Sequence, residues 1–137
     1  MAPFTHTSAV RYFEVDQQGV VFNAWYLAYL DEAFSAYMAD RGLPVGAMVA
    51  AGFDIQLVHT ELDWAASLHY PDAVLVDVAL AALGRTSFTV HFAVRSAEQP
   101  VATASTTYVV VGTDGSGARP LPAELRRALG EPEPLRR

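Results

Sequence analysis

Residues 23–42, "NAWYLAYLDEAFSAYMADRG", decide the fold. Tyr26, Leu30, Ala33 and Tyr37 recur at helical spacing, and Leu27, Phe34 and Met38 widen the apolar stripe. Asp31, Glu32 and Ser35 leave only a narrow polar face, so the spacing predicts a largely buried helix. Asn23 suits the N-cap, because its side-chain oxygen can accept a first-turn N–H that has no partner inside the helix. Gly42 fits the C′ position that closes the helix, and Pro44 follows it. So apolar a helix needs a broad surface to lie on, and a sheet provides one.

The rest of the chain supplies that sheet. Upstream, "FTHTSAVRYF" (4–13) is rich in β-branched and aromatic residues and reads as extended, and 14–22 read as a loop. Downstream, "PVGAMVAAG" (44–52) suggests a short second helix, after which the period changes. "FDIQLVHTELDWAASL" (53–68) is a long extended segment, and "DAVLVDVALAAL" (72–83) follows a "YPD" turn. In "SFTVHFAVR" (87–95), Phe88, Val90, Phe92 and Val94 fall on one face, with Thr89, His91 and Arg95 on the other. "AEQP" turns the chain into "VATASTTYVVVG" (101–112), "TDGSG" is a flexible turn, and "LPAELRRAL" (121–129) is a short helix. The expected product is one α+β domain over 1–137, a long helix on an antiparallel sheet, with a flexible tail from about 130. One helix covers one face of a sheet, so the other face or an edge needs cover, and homodimerisation is the simple expectation.

Composition narrows the function. The 137 residues are 52% hydrophobic and 18% charged, which suits a folded domain with a core. No apolar run approaches the roughly 20 residues that span a bilayer. The start, "MAPFTHTSAVRYF", lacks the basic then apolar pattern of a secretion signal. The absence of cysteine excludes disulfides, thiolate metal sites and cysteine nucleophiles, and fits a cytoplasmic setting. All nine basic residues are arginine and the formal charge is −6, a poor match to nucleic acid. A small anionic ligand could still be held by a few gathered arginines, whose forks pair with phosphate.

Several motifs are set aside. "GTDGSG" has no lysine and no following helix, so it is a turn rather than a phosphate loop. No G-x-S-x-G elbow is present. His6, His59, His69 and His91 share no metal-ligand spacing, and no metal site is expected.

The stretch "YFEVDQQGVVFNAWYLAYLDEA" (12–33) resembles the 4-hydroxybenzoyl-CoA thioesterase family of hotdog-fold acyl-CoA thioesterases. That family carries an aromatic, an acidic residue, D-x-x-G-[VI]-V-[YFW], a tyrosine and a long helix with an acidic residue. Asp16, Gly19, Val20, Val21, Phe22, Tyr26 and Asp31 match it. "LGRTSFTVHFAV" and "ARPLPAEL" are similar to later family segments, more weakly. The resemblance implies a hotdog fold, a homodimer or homotetramer with active sites at the subunit interface, and hydrolysis of an acyl- or aroyl-CoA. Coenzyme A would be part of the substrate, and no cofactor is implied.

The resemblance also assigns residues. Asp16 takes the place of the catalytic aspartate, as nucleophile on the thioester carbonyl or as general base for water; either role needs an ionised carboxylate near the carbonyl carbon. Otherwise it is a loop aspartate bonded to its own turn. Asn23 takes the place where a backbone N–H at a helix start receives the oxyanion, stabilised there by the unpaired first-turn donors. Some relatives have histidine at this position, so an imidazole contribution is absent here. Gly19 permits a tight turn close to the ligand, and Tyr12 matches a position that lines the site in some relatives, although an aromatic there is more often plain core. For the CoA phosphates Arg85 is the first candidate, then Arg119, then Arg95. Thr86 and Ser87 could bond the pantetheine amides, and His59 and Thr60 could line the acyl pocket. The alternatives are a non-catalytic acyl-CoA-binding protein and a hotdog hydratase or dehydratase. The hydratase would want a histidine on the long helix, which has none.

Overall fold

The computed structural model describes residues 3–135. Five strands, β1 (Phe4–Ala9), β2 (Phe53–Trp64), β3 (Ala73–Leu83), β4 (Ser87–Ser96) and β5 (Gln99–Gly112), form one antiparallel sheet in the order β1-β3-β4-β5-β2. The long helix α1 (Trp25–Asp40) lies across one face of it; α2 (Val45–Ala50) follows α1, and α3 (Ala123–Leu129) closes one end.

The core follows the alternation in the sequence. Val74, Val76, Val78 and Leu80 of β3, Phe88, Val90, Phe92 and Val94 of β4, and Ala102, Ala104, Tyr108 and Val110 of β5 are buried with the helix. Tyr26, Tyr29, Leu30, Ala33, Phe34, Tyr37 and Met38 form the buried stripe of α1. Phe34 stacks on Tyr108 at 4.6 Å between ring centres, and Phe88 stacks on Tyr108 at 5.4 Å. Leu27, expected in the stripe, is instead exposed. It lies one turn before Asp31 on the polar side, and Tyr29 holds the buried place.

Three local readings are corrected. The first strand ends at Ala9 rather than Phe13, because the Glu14 carboxylate accepts the Arg11 N–H at 2.8 Å and folds Tyr12–Glu14 into a 3-10 turn. Asn23 is not the N-cap. Ala24 holds that place in an already helical conformation (φ −64°, ψ −26°), and no side chain caps the helix. The Trp25 and Tyr26 N–H groups bond instead to the carbonyls of Phe22 and Asn23, so a tight turn leads into the helix. In β2, the register shifts between Leu57 and His59, which leaves Val58 as an extra residue. The shift changes the parity of the strand: Phe53, Ile55 and Leu57 pair with residues of the helix-facing set, and after the bulge Thr60, Leu62 and Trp64 do.

The C-terminal segment expected as a flexible tail carries a tie. The Glu133 N–H bonds the Leu80 carbonyl, just past the point where β1 stops pairing with β3. Arg136 and Arg137 lie outside the described residues.

Candidate active site

Asp16 stands on a small hairpin. Its N–H donates to the Val20 carbonyl and its carbonyl accepts from Gly19 N–H, both at 2.9 Å. Val15 and Val21 form a bridge beneath, and the Phe22 N–H bonds the Glu14 carbonyl at 3.0 Å. Gly19 has φ +79°, the left-handed value that a three-residue hairpin loop requires after a tight turn. One carboxylate oxygen of Asp16, Oδ1, accepts the Gln18 N–H at 2.8 Å. That is the loop-aspartate arrangement anticipated from the sequence, and it fixes the side chain without enclosing it.

The hairpin is anchored from below by Glu14, which is fully buried. Its Oε1 accepts the Arg11 N–H and the Tyr29 hydroxyl, each at 2.8 Å. Its Oε2 accepts Arg11 Nε at 3.0 Å and Nη2 at 2.9 Å. Burial alone would raise the Glu14 carboxyl, but the Arg11 N–H, the Tyr29 hydroxyl and the Arg11 guanidinium outweigh it and hold the group below the usual glutamate value. Glu14 is therefore an anion near neutral pH. Burial and the Glu14 carboxylate push the Tyr29 hydroxyl well above the usual tyrosine value.

Asn23 lies one residue beyond the pair formed by Glu14 and Phe22, at the foot of α1. Among the described residues, the N–H groups of Asn23 and Ala24 are not taken up by any backbone carbonyl. Both residues are exposed. The free donors of a helix start thus sit on the outgoing arm of the hairpin that carries Asp16.

The other candidates divide by position. The hairpin is tied to the segment after β2, through Val21 N–H to the Leu68 carbonyl and a bridge between Val20 and His69. Arg85, Thr86 and Ser87 lie at the β3–β4 turn, at the opposite end of the strands. Strands of this length put roughly 30 Å between the two ends. A single chain therefore does not bring these residues to Asp16. Arg119 is at that far end too, where its Nη1 donates to the Gly52 carbonyl at 3.1 Å. Arg95 is engaged by Asp77, with Nε to Oδ2 at 3.3 Å. His59 points to the outer face and pairs with Glu61 at 3.2 Å, while Thr60 turns inward to Thr106 at 2.8 Å. A cavity of about 610 Å³ lies elsewhere, between Phe4, Tyr37, Leu80 and the 131–135 segment, and contains none of these candidates. Among the described residues, no cluster of three or more His, Asp or Glu could hold a metal ion.

A profile of the thioesterase-like superfamily matches residues 10–129, most of the chain and the whole of this site. The chain belongs to the thioesterase-like superfamily. A 1,4-dihydroxy-2-naphthoyl-CoA hydrolase of Synechococcus elongatus is 28% identical over 128 residues, 92% of this chain and 94% of its own. The crystal structure of a 1,4-dihydroxy-2-naphthoyl-CoA thioesterase from Synechocystis superposes with a TM-score of 0.84 at 26% identity, covering 92% of this chain and 94% of that one. The crystal structure of a protein from Aquifex aeolicus gives 0.89 at 27% identity, covering 93% and 100%. The fold is the hotdog, and this thioesterase-superfamily chain is a thioester hydrolase.

Sequence reasoning missed part of what surrounds Asp16 in this thioesterase. Glu14 was legible only as an acidic position in the family pattern; its burial depends on Tyr29, fifteen residues away on α1. Several aromatic side chains at the hairpin's end of the molecule also stand exposed. Tyr12 is 77% exposed, so it is not core, and meets Tyr70 edge-on at 5.8 Å. Phe13 meets Trp25 at 5.5 Å, and Trp64 at the end of β2 meets Tyr26 at 5.7 Å. The family resemblance marks Tyr12 as a site-lining aromatic, whereas nothing in the local sequence marks Phe13 and Trp64 as exposed.

Proposed function

We propose that this chain is an acyl-CoA thioesterase of the 4-hydroxybenzoyl-CoA thioesterase type, cleaving an acyl-CoA with water to the free acid and CoA. Asp16 either attacks the thioester carbonyl as nucleophile, expelling the CoA thiolate and leaving an anhydride that water opens, or takes the proton of the water that attacks the carbonyl and expels the thiolate. The N–H of Asn23 receives the oxyanion, a donor whose loss costs on the order of 3 kcal/mol of transition-state stabilisation. The observation that carries this reading is the single hairpin that holds the Asp16 carboxylate on one arm and unbonded helix-start donors at the end of the other. Hydrolysis of this kind needs only water, so no cofactor is invoked.

An aromatic acyl group is the substrate class to test first. The exposed rings of Tyr12, Phe13 and Trp64 at this end offer edges and faces to an aryl group. The two naphthoyl-CoA-hydrolysing relatives point the same way. Arg85, with Thr86 and Ser87, would come to Asp16 from a second subunit, which accounts for their separation within one chain. The pairing edge is β2, whose outer side is open among the described residues and where Leu57 and Val58 are exposed.

Release of free thiol from a panel of acyl- and aroyl-CoAs tests the reading. Turnover of at least one aroyl-CoA is expected. A panel with binding but no thiol released over hours would replace this reading with that of a non-catalytic binder.

A further inference from the structure

Glu14 takes no part in the chemistry proposed above, yet it is the most completely engaged side chain near Asp16. Four donor contacts converge on its two oxygens, from three groups of Arg11 and from Tyr29. Its main-chain carbonyl accepts the Phe22 N–H, and the Phe22 carbonyl in turn accepts the Trp25 N–H. One residue thus joins the 3-10 turn, the outgoing arm of the hairpin and the buried face of α1. Asp16 is two residues from it along the chain, and Asn23 is one residue beyond Phe22.

We propose that Glu14 is the positioning residue of this active site: with Arg11 and Tyr29 it holds the Asp16 turn and the first turn of α1 in one fixed arrangement. The proposal rests on Asp16 being the reacting carboxylate. Stability alone explains the network poorly. Glu14 is buried but the Arg11 side chain is 52% exposed, so solvent screens the pair and its Coulomb energy contributes little to stability. What an apolar cluster lacks is direction. Charged hydrogen bonds fix distance and angle together, and a misplacement of about 1 Å in a reacting group can lower the rate about 100-fold. A carboxylate also suits this place better than an amide, since all four converging groups are donors, two on each oxygen, and glutamine would present an NH2 to two of them.

Two variants test this, Tyr29→Phe and Glu14→Gln, with Val90→Ala as a core-destabilised control away from the network. On the best thioester, Tyr29→Phe is expected to lower kcat about 10-fold with KM within about twofold. Glu14→Gln is expected to lower it further, and Val90→Ala to leave it unchanged while folded. In parallel, native-state hydrogen exchange of the Phe22 and Gln18 amides should quicken at least about 10-fold in Tyr29→Phe while the central strands stay protected; a general loss of stability would quicken both. Wild-type kcat together with wild-type exchange at Phe22 and Gln18 in folded Tyr29→Phe would overturn the proposal. If Glu14→Gln does not fold, Tyr29→Phe alone decides. If the wild-type protein turns over no thioester, the catalytic reading fails on its own, and the exchange data still decide whether the network holds the hairpin.

Discussion

At the scale of single residues, the helix start separates side-chain from backbone chemistry. The proposed oxyanion donor is the N–H of Asn23, not its amide side chain. Asn23→Ala should therefore keep kcat within a few-fold. Asn23→Pro removes the donor at the first central position of the Phe22–Trp25 turn, where proline is well tolerated. It should lower kcat about 100-fold or more in a folded protein, and equal rates for the two variants would remove the N–H from the mechanism. Glu14 adds a pH signature. Its folded value is depressed, so its stabilising contribution is complete above the unfolded value of about 4.3 and is lost as pH falls through the lower folded value. Tyr29 is raised, so its contribution is complete below about 10 and lost as pH rises through the folded value. Urea denaturation should show the stability gap between wild type and Glu14→Gln shrinking as pH falls below about 4.3. A gap that stays constant down to pH 3 would mean Glu14 titrates as an ordinary exposed acid.

At the scale of elements, the helix and the strands were largely legible because each buries one face and the side-chain period records which. The stripe from Tyr26 to Met38 and the alternation in 87–95 needed no tertiary information. The corrected boundaries have a different origin. The early end of β1 and the uncapped start of α1 both depend on Glu14 and Phe22 meeting across a hairpin, and local spacing does not encode such pairs. The bulge at Val58 was equally hidden, since an apolar run can change parity without changing composition; it decides that His59 faces outward and Thr60 inward. Two stability tests belong here. Gly19→Ala meets no atom within 4 Å, so its penalty is the backbone term alone, about 1 kcal/mol by thermal or chemical denaturation. Phe34→Ala removes the ring stacked on Tyr108 and should cost about 3–5 kcal/mol. A Gly19→Ala loss as large as that for Phe34→Ala would contradict the hairpin geometry.

At the scale of the whole molecule, the candidate site is split. The carboxylate end was readable because its residues are close in sequence, while Arg85 and Arg119, the first two arginines considered for CoA, lie at the far end of the sheet. A second subunit joined along β2 would reconcile the two. Val58→Asp places a charge on the open, bulged edge and should shift the protein to monomer in analytical ultracentrifugation, with activity lost although Asp16 is untouched. A fully active monomer would assign CoA recognition to one chain. The central claim, that Asp16 acts on a thioester, is tested most directly by thiol release from the best aroyl-CoA with Asp16→Ala beside the wild type. The account predicts a folded variant with kcat reduced at least about 100-fold; a folded Asp16→Ala protein that turns over at the wild-type rate would contradict it.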